Sequence, residues 1–174
     1  MKTLVIHPQD PTTDFLKAIY DGLGFTVINQ VIEEEELAHQ ISMHDRVIFL
    51  GHGSSRGLLG WTGFAFHGDL IYALKNNPLN IFIWCNADIF VARYNLLGLH
   101  TGMFISEVQE AELYHVKTND IKIKFSNDLF AVNVRSMIHH VDGGKLYEFV
   151  KEKYSSSSCP VIKFNQERLY YVDI

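Results

Sequence analysis

Two apolar runs in this chain each end in a side chain able to do chemistry. Val47-Ile48-Phe49-Leu50 empties into Gly51-His52-Gly53-Ser54-Ser55, and Ile81-Phe82-Ile83-Trp84 empties into Cys85-Asn86-Ala87-Asp88. A thiol becomes a nucleophile when a nearby base or positive field favours its thiolate. A histidine, with an ordinary pKa of about 6.5, is the natural base. Acyl transfer also needs donors for the developing oxyanion. The backbone amides of Gly53 and Cys85 are the candidates, since a glycine lets substrate approach the chain closely. His52 and Cys85 are therefore the expected catalytic pair, with Gly53 and Cys85 forming the oxyanion hole.

Each residue alone has a plainer reading. A cysteine closing an apolar strand is more often packing than catalysis, and a lone histidine after a strand is usually a hydrogen-bonded structural residue. Asp88 could receive a basic substrate side chain or cap a helix, and capping is the commoner role. Gly53-Ser54-Ser55-Arg56-Gly57 formally matches the Gly-x-Ser-x-Gly elbow of a serine hydrolase using Ser55, but that elbow must lead straight into a helix. Here Gly57, Gly60 and Gly63 follow instead. A cysteine phosphatase would need Arg six positions after Cys, and Arg93 stands eight on. His52, His67, Cys85 and His115 show no tight metal-ligand spacing, so no metal and no cofactor is expected.

These residues must be positioned by a framework. At 174 residues, 47% hydrophobic and 20% charged, the chain suits one domain over 1–174 with a sizeable core. A net charge of −5 without any basic run argues against nucleic acid. No apolar run reaches the length of a membrane span, and the start lacks the apolar core of a signal peptide. Two cysteines, Cys85 and Cys159, do not make a disulfide framework. A cytoplasmic protein without a membrane partner is the expectation.

Strands are expected at Thr3–Ile6, Phe25–Gln30, Arg46–Leu50, Asn80–Trp84 and Met103–Ser106. Helical spacing is read over Asp14–Leu23 behind a Thr12 or Thr13 cap, and over Glu33–Met43, Asp69–Asn76 and Ile89–Leu97. Glu107–His115 reads as a helix and Ile121–Phe125 as an edge strand. Further helices run from Asn127 or Asp128 to His140 and over Leu146–Tyr154. Ser155–Ser158 reads as a polar turn, and Val161–Phe164 with Leu169–Val172 as a terminal hairpin. Gly51 to Gly68 reads as a long glycine-rich loop whose Trp61, Phe64 and Phe66 form a lid or a hydrophobic plug. Alternating strands and helices imply an α/β protein, a three-layer α/β/α sandwich on a mostly parallel sheet. In such sheets ligands bind at the carboxyl ends of the strands. Adjacent third and fourth strands would bring His52 and Cys85 together there.

An apolar strand ending in His-Gly, followed some thirty residues later by one ending in Cys, resembles the caspase–haemoglobinase fold of cysteine peptidases, which includes caspases, legumain, clostripain, gingipains and CHAT domains. Cys85-Asn86-Ala87-Asp88-Ile89-Phe90 is similar to the nucleophile turn of the gingipain branch. Gly57-Leu58-Leu59-Gly60 with Gly68-Asp69-Leu70 is similar to the segment after the histidine in CHAT domains. The resemblance spans Thr3 to Ser106. It implies a caspase-like fold and a cysteine endopeptidase that hydrolyses peptide bonds in a protein or peptide substrate, with Cys85 as nucleophile and His52 as base. The alternative it leaves is a non-catalytic, caspase-like interaction or regulatory module.

Overall fold

The computed structural model describes residues 1–156 and 158–173. In chain order the first half contains β1 (Thr3–Ile6), a 3-10 helix (Pro11–Ile19), β2 (Thr26–Ile28), α1 (Glu34–Ser42), β3 (Arg46–Leu50), β4 (Gly53–Ser54), β5 (Gly57–Leu59) and β6 (Phe64–His67). A second 3-10 helix (Gly68–Ala73) leads to β7 (Ile81–Ile83), α2 (Ala87–Arg93) and β8 (Gly98–Thr101). The remainder is α3 (Val108–Leu113), α4 (Asp120–Met137), α5 (Gly143–Lys153), α6 (Pro160–Gln166) and β9 (Leu169–Val172). Of the expected polar turn at Ser155–Ser158, Ser157 lies outside the described residues.

Strands apolar at nearly every position have no face to show to water, and they become the middle of a covered sheet. β1, β3, β7 and β8 are buried throughout. The sheet order is β2-β1-β3-β7-β8-β9, parallel except for the last pair, β8 with β9. Side chains alternate across it. Val5, Ile48, Leu50, Ile81 and Ile83 enter one core with Leu16, Phe104, Phe130, Val150 and Ile162. Leu4, Ile6, Val47, Phe49, Phe82 and Trp84 enter a second core with Leu37, Ile41, Leu58, Phe66 and Phe90. Each face of the sheet thus has its own apolar layer. The expected adjacency of the strands that carry His52 and Cys85 is observed, as β3 beside β7.

Several elements differ from expectation, each for a local reason. The first helix is a 3-10 turn beginning at Pro11, because Asp10 takes the Thr12 N–H at 2.9 Å and proline is preset for a first turn. The glycine-rich stretch is no loop: β4, β5 and β6 form a small antiparallel sheet. Within it Phe66 is fully buried, its ring tilted against Phe49 at 4.2 Å between centroids, whereas Trp61 is 81% exposed. The plug is Phe66 alone. The Ser55-Arg56 pair sits in the β4–β5 turn, so the strand-to-helix context of a serine elbow does not form.

The fifth parallel strand is Gly98–Thr101 instead of Met103–Ser106. The alternation in Ile121–Phe125 belongs to α4, whose cap Asn119 accepts the Lys122 N–H at 3.0 Å; Ile121 there is 80% exposed. Val161–Phe164 is helical behind Pro160 at the first turn of α6. Only Leu169–Val172 of the expected hairpin is a strand, and its partner is β8.

The segment after β8 has no ladder of its own, and a buried side chain holds it. Asn165 accepts the Ile105 N–H at 2.7 Å, donates to the Ile105 carbonyl at 2.8 Å, and donates to the Tyr154 hydroxyl at 3.0 Å. Replacing Asn165 with Ala strands both backbone groups of Ile105 in the core, where an unsatisfied group costs about 1–3 kcal/mol. Asn165→Ala is therefore expected to lower unfolding free energy by about 3 kcal/mol in urea titration; a loss below about 0.5 kcal/mol, the range of ordinary surface changes, would contradict this role.

Candidate active site

Leu50 of β3 lies in register with Ile83 of β7, and the Gly51 N–H donates to the Ile83 carbonyl at 3.1 Å. Two residues beyond that pair stand His52 and Cys85. Both face the layer that holds Leu50 and Ile83, for His52 touches Thr12 of the first 3-10 helix and Cys85 touches Phe104 and Glu110. Gly51 makes the exit from β3 possible: its φ of +142° is a backbone conformation that favours glycine.

The hydrogen bonds of His52 determine which nitrogen is basic. Its Nε2 lies 2.6 Å from Thr12 Oγ1 and 4.0 Å from Asp10 Oδ2. Thr12 has one hydroxyl proton, and it donates to Asp10 Oδ1 at 2.7 Å, since a carboxylate can only accept. Thr12 Oγ1 must then accept from His52, which puts the imidazole proton on Nε2. Nδ1 is left with its lone pair and, among the described residues, makes no hydrogen bond. The Thr12 hydroxyl, followed by its backbone N–H and the histidines, holds the Asp10 carboxyl below the usual carboxylate range, in keeping with an ionised acceptor.

His7, at the end of β1, is a contrasting case. Thr13 donates its hydroxyl to the Asp10 carbonyl and so accepts from His7 Nε2, while the Tyr20 hydroxyl lies 3.0 Å from Nδ1. Both ring nitrogens are occupied, and burial pushes its pKa down to about 4. His7 is a neutral structural histidine. His52 has the same kind of anchor on one nitrogen and nothing on the other.

Cys85 is not hydrogen-bonded to His52. Its thiol donates to the Phe104 carbonyl at 3.4 Å and lies 3.8 Å from Glu110 Oε1. Burial, with the Glu110 carboxylate next in weight, pushes its pKa up to about 12, so the resting group is a protonated thiol. Glu110 itself is fixed by the N–H groups of Ser106 and Glu107 at 2.7 and 3.1 Å. Cys159 is also a free thiol, and buried.

The turn after Cys85 places Asn86 in the left-handed region at φ 64°, with its N–H donated to the Gly102 carbonyl at 3.1 Å. The Cys85 N–H makes no hydrogen bond among the described residues and remains available. Gly53 has a packing reason for being glycine: a Cβ there would fall 2.1 Å from Trp84 Cδ1. The Trp84 indole N–H donates to the Ser54 carbonyl at 3.0 Å, which ties the histidine hairpin onto the thiol strand. Asp88 does not cap α2; one of its carboxylate oxygens is buried without a partner, and the other lies toward Gly102. A cavity of about 780 Å³ opens beside Pro8 and Gln9, and none of His52, Cys85 and Asp88 lines it. Among the described residues no group of three or more His, Cys, Asp or Glu side chains is arranged to hold a metal ion.

Asp10, Thr12 and Glu110 were not among the sequence candidates. Thr12 is forty residues from His52, and Glu110 twenty-five from Cys85. The legible signal was Asp10-Pro11-Thr12, a capping pattern directly after a strand that neighbours β3. No family model, curated protein or solved structure gives a significant match to the chain.

The thiol's surroundings can be tested directly. With its pKa near 12, Cys85 alkylation by iodoacetamide should be slow at neutral pH and climb with each pH unit above 9. Glu110→Gln removes the neighbouring negative charge and should speed alkylation at fixed pH by about tenfold. A rate that levels off near the ordinary thiol range of about 8.5 would overturn the assignment.

Proposed function

We propose that this chain is a cysteine peptidase of the caspase-like kind that hydrolyses a peptide bond through Cys85 and His52. The observation that carries the reading is the proton count at His52: Thr12 and Asp10 hold the ring by Nε2–H and leave the Nδ1 lone pair uncommitted. A base oriented by a third group, on the strand end beside a thiol, is the arrangement that nucleophilic catalysis requires.

Because the thiol rests protonated, the reaction starts from a neutral pair. The Cys85 side chain turns from the Phe104 carbonyl toward His52, and Nδ1 takes the Sγ proton as sulfur bonds to the substrate carbonyl carbon. The carbonyl π pair moves to oxygen, where the N–H groups of Cys85 and Gly53 receive the charge. Collapse expels the amine, which takes the proton from Nδ1, and water then hydrolyses the thioester with His52 again as base. Thr12 and Asp10 position His52 and stabilise the imidazolium formed along the way.

A second reading is favoured by a different observation. Among the described residues the thiol has a carboxylate neighbour and no cation beside it, which suits a caspase-like interaction module that keeps the two positions without turnover. A panel of peptidyl acyloxymethyl ketones separates the two. The peptidase reading expects mass addition at Cys85, none in Cys85→Ala, and labelling slowed about 100-fold in His52→Ala. Thr12→Val should slow labelling about tenfold and shift its pH profile, and Thr12→Ser should restore both. If the wild type and His52→Ala are labelled at the same rate, or not at all, His52 is not a base and the module reading stands.

A further inference from the structure

The strand order reverses at β1: the chain runs from β1 outward to β2, then crosses back to β3 on the other side. Crevices outside the carboxyl ends of strands at such a reversal are where open α/β sheets bind ligands. The 780 Å³ cavity lies on the β2 side of that reversal, over the carboxyl ends of β1 and β2, and its size falls within the range of small-molecule pockets. Its floor is Ile6 and Ile28 from the ends of β1 and β2, with Ile32 and Leu37 before and within α1. The small antiparallel sheet that follows His52 forms the opposite wall.

Trp61 and Arg56 of that wall line the cavity. Trp61, 81% exposed, and Val31, 71% exposed, both line the cavity, so large apolar side chains are left open around it. Arg56 stands over the Phe64 ring at 5.2 Å and, among the described residues, has no carboxylate partner. The one carboxylate in the lining, Glu34, is engaged by His67 at 3.1 Å. The uncommitted charge facing the cavity is thus a guanidinium, set above an apolar floor.

We propose that this cavity binds an amphipathic carboxylate, its apolar body on Ile6, Ile28 and Leu37 under Trp61 and its carboxylate on Arg56. Planar bidentate pairing with carboxylates is the chemistry that a guanidinium supplies best. The site is separate from the thiol, since Cys85 does not line it, and it stands whether or not the chain is a peptidase.

Dodecanoate, held below its micelle concentration, is a suitable probe, with dodecanol as the uncharged control. Trp84 is 1% exposed, so a change in tryptophan emission reports Trp61. Saturable quenching or a blue shift is expected with dodecanoate, unchanged in Cys85→Ala. Arg56→Gln should weaken dodecanoate about tenfold and leave dodecanol unaffected. Ala65→Phe, which narrows the cavity without adding a tryptophan, should weaken both. Absence of saturable binding in the wild type, equal dodecanoate affinity in Arg56→Gln, or undiminished binding in Ala65→Phe would each overturn the proposal.

Discussion

The in-register pairing of β3 with β7 is the constraint on which the rest of this structure depends. Leu50 opposite Ile83 fixes the level at which both strands end, and the strict alternation of side chains fixes the face. A shift of one residue in either strand would send its reactive group to the opposite core. The pairing is held by burial: every residue of β3 and β7 is inside, and each face of the sheet has its own apolar cluster. The Trp84 indole adds a lateral tie, packing where Gly53 has no side chain and bonding to Ser54. Hairpin and thiol strand are therefore joined by packing and by a hydrogen bond.

On that frame two neighbouring segments assign opposite tendencies to the two groups. The turn after β1 supplies Asp10 and Thr12, which hold His52 by its protonated nitrogen and keep the other nitrogen basic. The first turn of α3 supplies Glu110, which with burial keeps Cys85 protonated. The outcome is a protonated thiol that makes no hydrogen bond to the imidazole. In the proposed mechanism the two groups meet when substrate binds, and catalytic hydrogen bonds are often loose before that.

The strands were legible in the sequence wherever burial on both faces left no choice. Thr3–Ile6 and Arg46–Leu50 appear with the bounds that their apolar runs indicate, and the helices read over Glu33–Met43 and Glu107–His115 match α1 and α3 to within a residue or two. What stayed hidden depends on partners distant in the chain. The three short strands between Gly53 and His67 pair only with one another, and their glycines concealed them behind a loop-like composition. Val161–Phe164 carries β-branched residues, yet Pro160 and packing of Val161 and Ile162 into the first core make it helical. The same limit applied to the site. His52 and Cys85 announce themselves at strand ends, whereas Asp10, Thr12 and Glu110 acquire meaning only when the fold brings them alongside.

The central claim is that His52 carries its proton on Nε2 and presents a free lone pair at Nδ1. Two-bond proton–nitrogen correlation spectra of the protein labelled with nitrogen-15 histidine read this directly near neutral pH. The account predicts the Nε2–H pattern for His52, changed to mixed tautomers in Thr12→Val. A His52 found as the Nδ1–H tautomer in the wild type would contradict it.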